Sequence, residues 1–412
     1  MQTQRWSEYS PVVGRLFVFT FIVGVATGLP EILFNFYLAS LGFDNTIAGQ
    51  MVTLTRLAGF LFGLPLGLAV DRFGGVRVVQ IVGVFNMLTW VLLLNTTDLN
   101  HIRLGYFFAG MLFTAQATAI LPLLSRVTTP TQRPLIFGVN FALLMATGSV
   151  SAIIGGYLPG AVAEFQGVAA TSVTAYRLAL YSVLVLTTLA LMALVGLHRR
   201  IHLQPQVLAP SSTSNSIASH PHLIPRSIIV LRSAGRFTLG FAGGMLHPFI
   251  NLYLRQTYGL PDTQIGVYIA VYIMASVVAA LVSSAFIARL GAQRTVVVMA
   301  LAAAGVMGGA FIEHPVVFVL TYTASMFFIG QIYPAGDVLI LNTVGAAQRG
   351  FTTSINNMLW SLGWGIAASL SGWLQVTSGF TWPFVIHIIC MLVTAWLFWR
   401  NRYPAYESTP HA

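Results

Sequence analysis

Four ionisable side chains fall inside long apolar runs: Glu31, Arg56, Arg236 and Asp337. A charge at a bilayer centre costs on the order of 3 kcal/mol by insertion scales, so each needs an opposite charge or water. Arginine keeps its proton, so the carboxylates are the partners that can titrate. At 1.5 Å per residue, Glu31 lies about 14 Å below the end of its run and Arg56 about 15 Å into the next. Arg236 lies roughly 12 Å into its run and Asp337 roughly 8 Å from the end of its own by the same rise. Each acid is therefore expected to meet the arginine at its depth. Burial disfavours a carboxylate and a nearby arginine favours it, so separating Glu31 from Arg56 favours proton uptake. A fixed ion pair bracing two helices is the alternative reading.

Uncharged groups extend the chemistry. His247 can titrate near neutral pH or serve as a hydrogen-bonded packing residue. Asn35, Gln116, Asn140, Asn251, Gln331, Asn356 and Asn357 can hydrogen-bond a substrate or bridge helices. Trp360 and Trp364, and Tyr268 and Tyr272, are each spaced i, i+4 and share a helix face. Such faces suit flat or amphipathic ligands, and equally suit lipid or packing. All 20 basic residues are arginine, which excludes a phosphate-binding loop that needs lysine. The single Cys390 excludes an intramolecular disulfide. No catalytic constellation is present, so an enzyme, a cofactor and a resident metal are not expected. His198, His202, His220 and His222 have no acid or cysteine beside them and do not make a metal site.

The elements that must position these groups are membrane helices. The chain has 412 residues, 56% hydrophobic and 7% charged. Runs of about 20 apolar residues, each able to span a bilayer, fill nearly all of it. Twelve spans are expected, near 13–40, 46–70, 77–97, 102–125, 134–161 and 176–197, then 228–256, 263–288, 294–313, 315–342, 351–377 and 382–400. A Ser-, Pro- and His-rich segment, 198–226, reads as a linker. The first apolar run is too long for a cleavable signal peptide. The formal charge of +10 is scattered singly between spans, which points to topology rather than nucleic acid. Arg72, Arg77, Arg126, Arg133, Arg289, Arg294 and Arg349 fall on one side, with both termini. Arg103, Arg177 and Arg255 fall on the other, among Asp44, Asp98, Glu164, Asp262 and Glu313. The arginine-rich side, and so both termini, is expected to be cytoplasmic.

The halves repeat. Asn35-Phe36-Tyr37-Leu38 recurs as Asn251-Leu252-Tyr253-Leu254, an offset of 251 − 35 = 216. Arg133 and Asn140 recur at that offset as Arg349 and Asn356, Gly156-Tyr157-Leu158 as Gly372-Trp373-Leu374, and Glu31 as His247. Gly74 and Arg77 recur one residue later, as Gly291 and Arg294. Two homologous six-helix halves follow, as in parallel-repeat transporters.

Between the second and third spans lies Gly67–Arg77, GLAVDRFGGVR. Gly74 and Gly75 allow a tight turn, and Asp71, Arg72 and Arg77 keep it out of the bilayer. The pattern of Gly67, Asp71, Arg72, Gly74 and Arg77 resembles the signature loop of the major facilitator superfamily of secondary transporters. Val76 stands where that family often has a base. The resemblance implies alternating access, with a cavity lined by spans 1, 4, 7 and 10. It also implies that Asp71 acts as a conformational switch at the start of span 11. Drug/proton antiporters of the family carry a glycine-proline pattern in span 5 and an arginine in span 4. Thr147, Ser151, Ala152 and Tyr106 stand at those places here.

The expected fold is an all-α membrane protein: twelve transmembrane helices in two pseudo-repeated six-helix bundles, 1–197 and 227–412. The expected function is proton-coupled export of a small amphipathic molecule by a monomer in the plasma membrane. Its partners are the substrate, protons or another coupling ion, and lipid. Uptake or facilitated diffusion of a small organic solute is the alternative, as is a sensor or lipid-handling protein on the same fold.

Overall fold

The computed structural model describes residues 10–129, 131–197 and 224–404. The linker expected at 198–226, with its four histidines, lies outside these residues up to 223. The described residues form twelve helices and no strand: α1 (Pro11–Ser40), α2 (Asn45–Phe73), α3 (Gly75–Leu94), α4 (Leu99–Arg126), α5 (Arg133–Gln166) and α6 (Val173–Ala193), then α7a (Arg226–Leu246) with α7b (Ile250–Tyr258), α8 (Asp262–Leu290), α9 (Ala292–Met307), α10 (Pro315–Leu341), α11 (Ala346–Ser378) and α12 (Thr381–Arg400). Lipid leaves no other choice for a single span, since each backbone polar group must be satisfied within its own segment. Among the described residues ten helices are long and apolar enough to cross a membrane; α7a, α7b and α11 fall short. Large apolar side chains such as Leu64, Leu281, Leu320 and Trp399 stay exposed, as a lipid-facing surface requires.

The chain divides into two compact units. The first holds residues 1–42 and 57–216. In it α1 packs on α5 and α6, and α3 on α4. Its core gathers Leu16, Phe19 and Val23 of α1, Val79 and Val82 of α3, and Leu112 and Leu123 of α4. Glycine lets α1 lie close to α5. A Cβ on Gly24 would stand 2.6 Å from Thr147 Oγ1, and one on Gly28 2.4 Å from Ser151 Oγ.

The second unit holds residues 43–56 and 217–412, so α2 enters it as far as Arg56. In it α7a packs on α11 and α12, and α9 on α10 and α12. These pairings repeat those of the first unit. Gly240 and Gly244, at the repeat positions of Gly24 and Gly28, meet backbone: their Cβ atoms would stand 2.1 and 2.3 Å from the carbonyl oxygens of Trp360 and Trp364. From α11, Gly363 makes the reciprocal approach to the Phe237 carbonyl. Small residues spaced by four let two helices touch in this way. The start of α2 is fastened to α11 as well. Thr53 Oγ1 donates to the Gly365 carbonyl at 2.6 Å, and Asn45 Nδ2 to Gln375 Oε1 at 2.8 Å.

Two expectations need correction. The seventh span is not continuous. It breaks at a 3-10 turn, His247–Phe249, because Pro248 has no N–H to give and its ring crowds the carbonyl one turn back. The turn within Gly67–Arg77 is also shorter than expected and uses one of its two glycines. Gly67, Asp71 and Arg72 lie in the last turns of α2, and the whole connection is Gly74, at φ +86°. Gly75 does not use positive φ; it opens α3, close to Leu123 and Ala119. Gly291, at φ +81°, makes the same one-residue connection between α8 and α9.

Candidate functional site

In the second unit α7a carries Arg236 and α10 carries Asp337, and the fold brings them together. Arg236 is 5% exposed. Its Nη2 donates to Asp337 Oδ1 and, at 3.1 Å, to the Tyr333 carbonyl. The Asp337 side chain is 54% exposed. One partner is thus buried and the other half-exposed. Gly336 leaves room for the guanidinium, since a Cβ there would stand 3.2 Å from Nη2.

An aromatic wall continues from this pair. Tyr333, one turn before Asp337, accepts from Trp360 Nε1 through its hydroxyl at 3.2 Å. The Trp360 and Trp364 rings lie 4.9 Å apart. The Arg56 guanidinium sits over both, 5.3 and 5.0 Å from their centroids, within range of a cation–π attraction. At the break in α7, His247 meets the edge of Trp364 at 5.5 Å and Tyr272 at 5.4 Å. Its Nδ1 lies 3.5 Å from the Tyr322 hydroxyl. Gly243 of α7a completes the seat: its Cβ would stand 2.6 Å from Trp364 Cζ3. The glycines of α7a are therefore what allow two tryptophans on α11 to lie against it.

Five candidates, Arg56, Arg236, His247, Asp337 and Trp360, thus share one contiguous cluster. Glu31 is exposed, about two-thirds of the way along α1. Asn140 accepts from Thr20 Oγ1 at 3.0 Å and ties α5 to α1. Asn35 is buried in α1. Asn251 Oδ1 accepts the Leu252 N–H at 2.9 Å. Gln116 and Asn356 are buried, and their side-chain oxygens find no partner among the described residues. Gln331 is fully buried with neither end of its amide partnered among those residues. Asp71, Arg72 and Arg77 are exposed. Sequence reading missed Tyr333 and Tyr322. The i, i+4 spacing of Tyr333 to Asp337 was the available signal, and Tyr322, three turns further back, lies on the same stripe of α10.

Residues 232–412 match the family model of the Major Facilitator Superfamily. The same architecture extends over the whole chain in solved structures. A bacterial homologue of the human lysosomal transporter Spinster, inward-facing and occupied, aligns with TM-score 0.75 at 12% identity, over 94% of this chain and 95% of that one. The chain carries the fold of the major facilitator superfamily. A bacterial homologue of the iron transporter ferroportin, in an inward-facing state, aligns with TM-score 0.75 at 15% identity, over 96% and 99% of the two chains. A D-xylose-proton symporter aligns with TM-score 0.72 at 14% identity, over 94% and 96%. No curated protein matches by sequence. The resemblance read from Gly67–Arg77, the twelve spans and the repeat is borne out. The fold is that of solved multi-pass membrane transporters.

Proposed function

We propose that this protein is a proton-coupled secondary transporter that exports a small amphipathic organic molecule by alternating access. Two halves, 1–197 and 227–412, move about the substrate, and the protein works as a monomer in the plasma membrane with both termini cytoplasmic. The observation that carries the reading is the half-exposed Asp337 held on the buried Arg236 beside an aromatic wall. A rigid brace needs no exposed carboxylate; a group that trades protons does. The rings of Trp360, Trp364 and Tyr272 supply surface for an apolar body.

Glu31 is the second proton-carrying group in this reading. It lies nine residues before the end of α1, about 14 Å along the helix, and Arg56 lies eleven residues into α2, about 16 Å. Matching depth on successive helices lets Arg56 act as the counter-charge. Moving that charge away favours protonation, and its return favours release. Gly67, Asp71, Arg72, Gly74 and Arg77 serve as the switch at the far end of α2.

The test is flux in liposomes under an imposed pH gradient, with a panel of small amphipathic carboxylates, amines and alcohols. Wild-type protein should move at least one of them against its own gradient. Glu31→Gln should bind it and no longer accumulate it. Full gradient-driven transport by Glu31→Gln would remove that residue from the proton path.

A further inference from the structure

Arginine gathers where α8 meets α9 and α12 ends, all within the second unit. Arg289 and Arg294 flank the one-residue turn at Gly291, and Arg400 and Arg402 stand at the end of α12. All four residues are exposed. Local hydrogen bonds hold the two places together. Gln293, next to Arg294, donates through Nε2 to the carbonyls of Phe398 at 2.8 Å, Trp399 at 3.4 Å and Asn401 at 3.2 Å. Beyond the helix, Asn401 Nδ2 donates to the Leu231 carbonyl at 3.3 Å and the Tyr403 hydroxyl to the Arg232 carbonyl at 3.0 Å. The backbone of Arg402 is thereby fixed between two anchors. Arginines near a helix C-terminus can spend their donors on its last carbonyls, but here Gln293 has taken those. Among the described residues none of the four arginines forms an ion pair. The described acids of this unit are engaged or distant: Asp44, Asp262 and Glu313 stand at the other end of the helices, and Asp337 is held by Arg236.

The surface beside these charges is apolar and aromatic. Trp399 is 70% exposed and Trp396 46%, and Leu290 and Leu392 are exposed as well. Arg400 follows Trp396 by four residues and lays its guanidinium over that ring, 5.0 Å from the centroid. Tryptophan at the edge of an apolar span marks the level of the lipid headgroups, so these guanidinium groups stand at the depth of lipid phosphates. A free anion uses only the charges; an anionic lipid uses the charges and the rings. We propose that the corner formed by Arg289, Arg294, Arg400 and Arg402 with Trp396 and Trp399 binds an anionic phospholipid. Its phosphate takes charge-assisted hydrogen bonds from the arginines, and its acyl chain lies along the exposed rings of α12. Basic clusters at a membrane surface recognise anionic headgroups in this way, and the anchored backbone holds this one in place. The inference stands independently of the transport reading.

Native mass spectrometry of the full-length protein in detergent tests this. Dioleoyl phosphatidylglycerol, dioleoyl phosphatidylcholine and free glycerol phosphate are titrated in separately, and the affinity for the first bound copy is read from the mass shift. Phosphatidylglycerol should bind about ten-fold or more tightly than phosphatidylcholine. Glycerol phosphate, which has the charge without the chains, should not displace it. Each base near an anionic surface is worth about a five-fold factor in affinity, so Arg294→Gln combined with Arg400→Gln should weaken phosphatidylglycerol about 25-fold. Arg77→Gln combined with Arg126→Gln removes the same charge from two exposed residues of the first unit and should change that affinity by about two-fold or less, since neither belongs to the corner. Both double variants should bind phosphatidylcholine as wild type does, which also shows that they are folded. Equal binding of the two lipids, equal losses in the two double variants, or displacement by glycerol phosphate overturns the proposal.

Discussion

Removing Asp337 should harm the fold more than removing Arg236, although the two form one ion pair. Arg236 is 5% exposed and Asp337 is 54% exposed. Without the carboxylate, the buried guanidinium keeps the Tyr333 carbonyl at 3.1 Å and no carboxylate among the described residues. Without the guanidinium, the half-exposed carboxylate can still turn to water. Stranding one charge of a fully buried pair costs about 3–5 kcal/mol, while exposed pairs are worth about 0–1 kcal/mol. Asp337→Ala leaves the buried partner behind but in a half-open pair, so about 2 kcal/mol is expected, a factor of about 30 in the folded ratio. Arg236→Met leaves the open partner and should cost about 1 kcal/mol or less by the exposed-pair rule. The double variant should recover most of the Asp337→Ala loss, since nothing is then stranded. Unfolding in detergent, followed at Cys390, measures all three. An Arg236→Met cost equal to or above that of Asp337→Ala refutes the reasoning, as does a double variant no better than Asp337→Ala.

Other outcomes follow from the glycines and the caps. Gly240→Ala should destabilise by more than the roughly 1–3 kcal/mol of ordinary overpacking, because its Cβ meets backbone; Gly24→Ala meets the Thr147 side chain, which can turn, and should cost less. Thermal midpoints of the two variants check this. Gly74→Ala and Gly291→Ala should each cost about 1–3 kcal/mol through positive φ, whereas Gly63→Ala, inside α2 with open space about it, should be neutral or stabilising in the same assay. At the start of α4, the backbone N–H of His101, then that of Asn100, hold the Asp98 carboxyl below its ordinary value. Its stabilisation is therefore complete above the ordinary carboxylate pKa of about 3.9 and is lost as pH falls through the lowered value. The unfolding midpoint of Asp98→Asn should show less of this acid dependence than wild type.

Depth was legible in the sequence and azimuth was not. A bilayer demands runs of about 20 apolar residues, so the spans announce themselves, and a fixed rise converts residue number into depth. That is why Arg236 and Asp337 could be matched before their contact was seen. Which way a side chain faces is another matter, because in a span apolar nearly all round the neighbouring residues look alike. Gly243 was invisible for that reason, and Tyr333 showed only through its i, i+4 spacing to Asp337. Gln331 and Asn140 looked equivalent as buried amides, yet Asn140 has Thr20 and Gln331 has no partner among the described residues. Proline was ambiguous in the same way. Pro30 sits inside an unbroken α1 and Pro248 breaks α7, a choice made by what can satisfy the freed carbonyl.

Two helices that fall short as apolar spans, α7a and α11, each carry part of the cluster, and α10 carries the partner of each. This is one fact seen twice. Arg226, Arg232 and Arg236 lower the hydropathy of α7a, and Arg349, Asn356, Asn357 and Gln375 that of α11. Such residues are tolerated at membrane depth only where protein or water, not lipid, surrounds them. Backbone contact through Gly240, Gly244 and Gly363 gives α7a and α11 that shelter. The matching helices of the first half, α1 and α5, also meet through glycines, yet both pass as apolar spans. Their contact runs through the Thr147 and Ser151 side chains rather than through backbone, and no arginine follows at Thr20, the repeat position of Arg236. The same pairing serves as packing in one half. In the other it is closer, and its sheltered face carries the Arg236–Asp337 pair and the Trp360 and Trp364 rings.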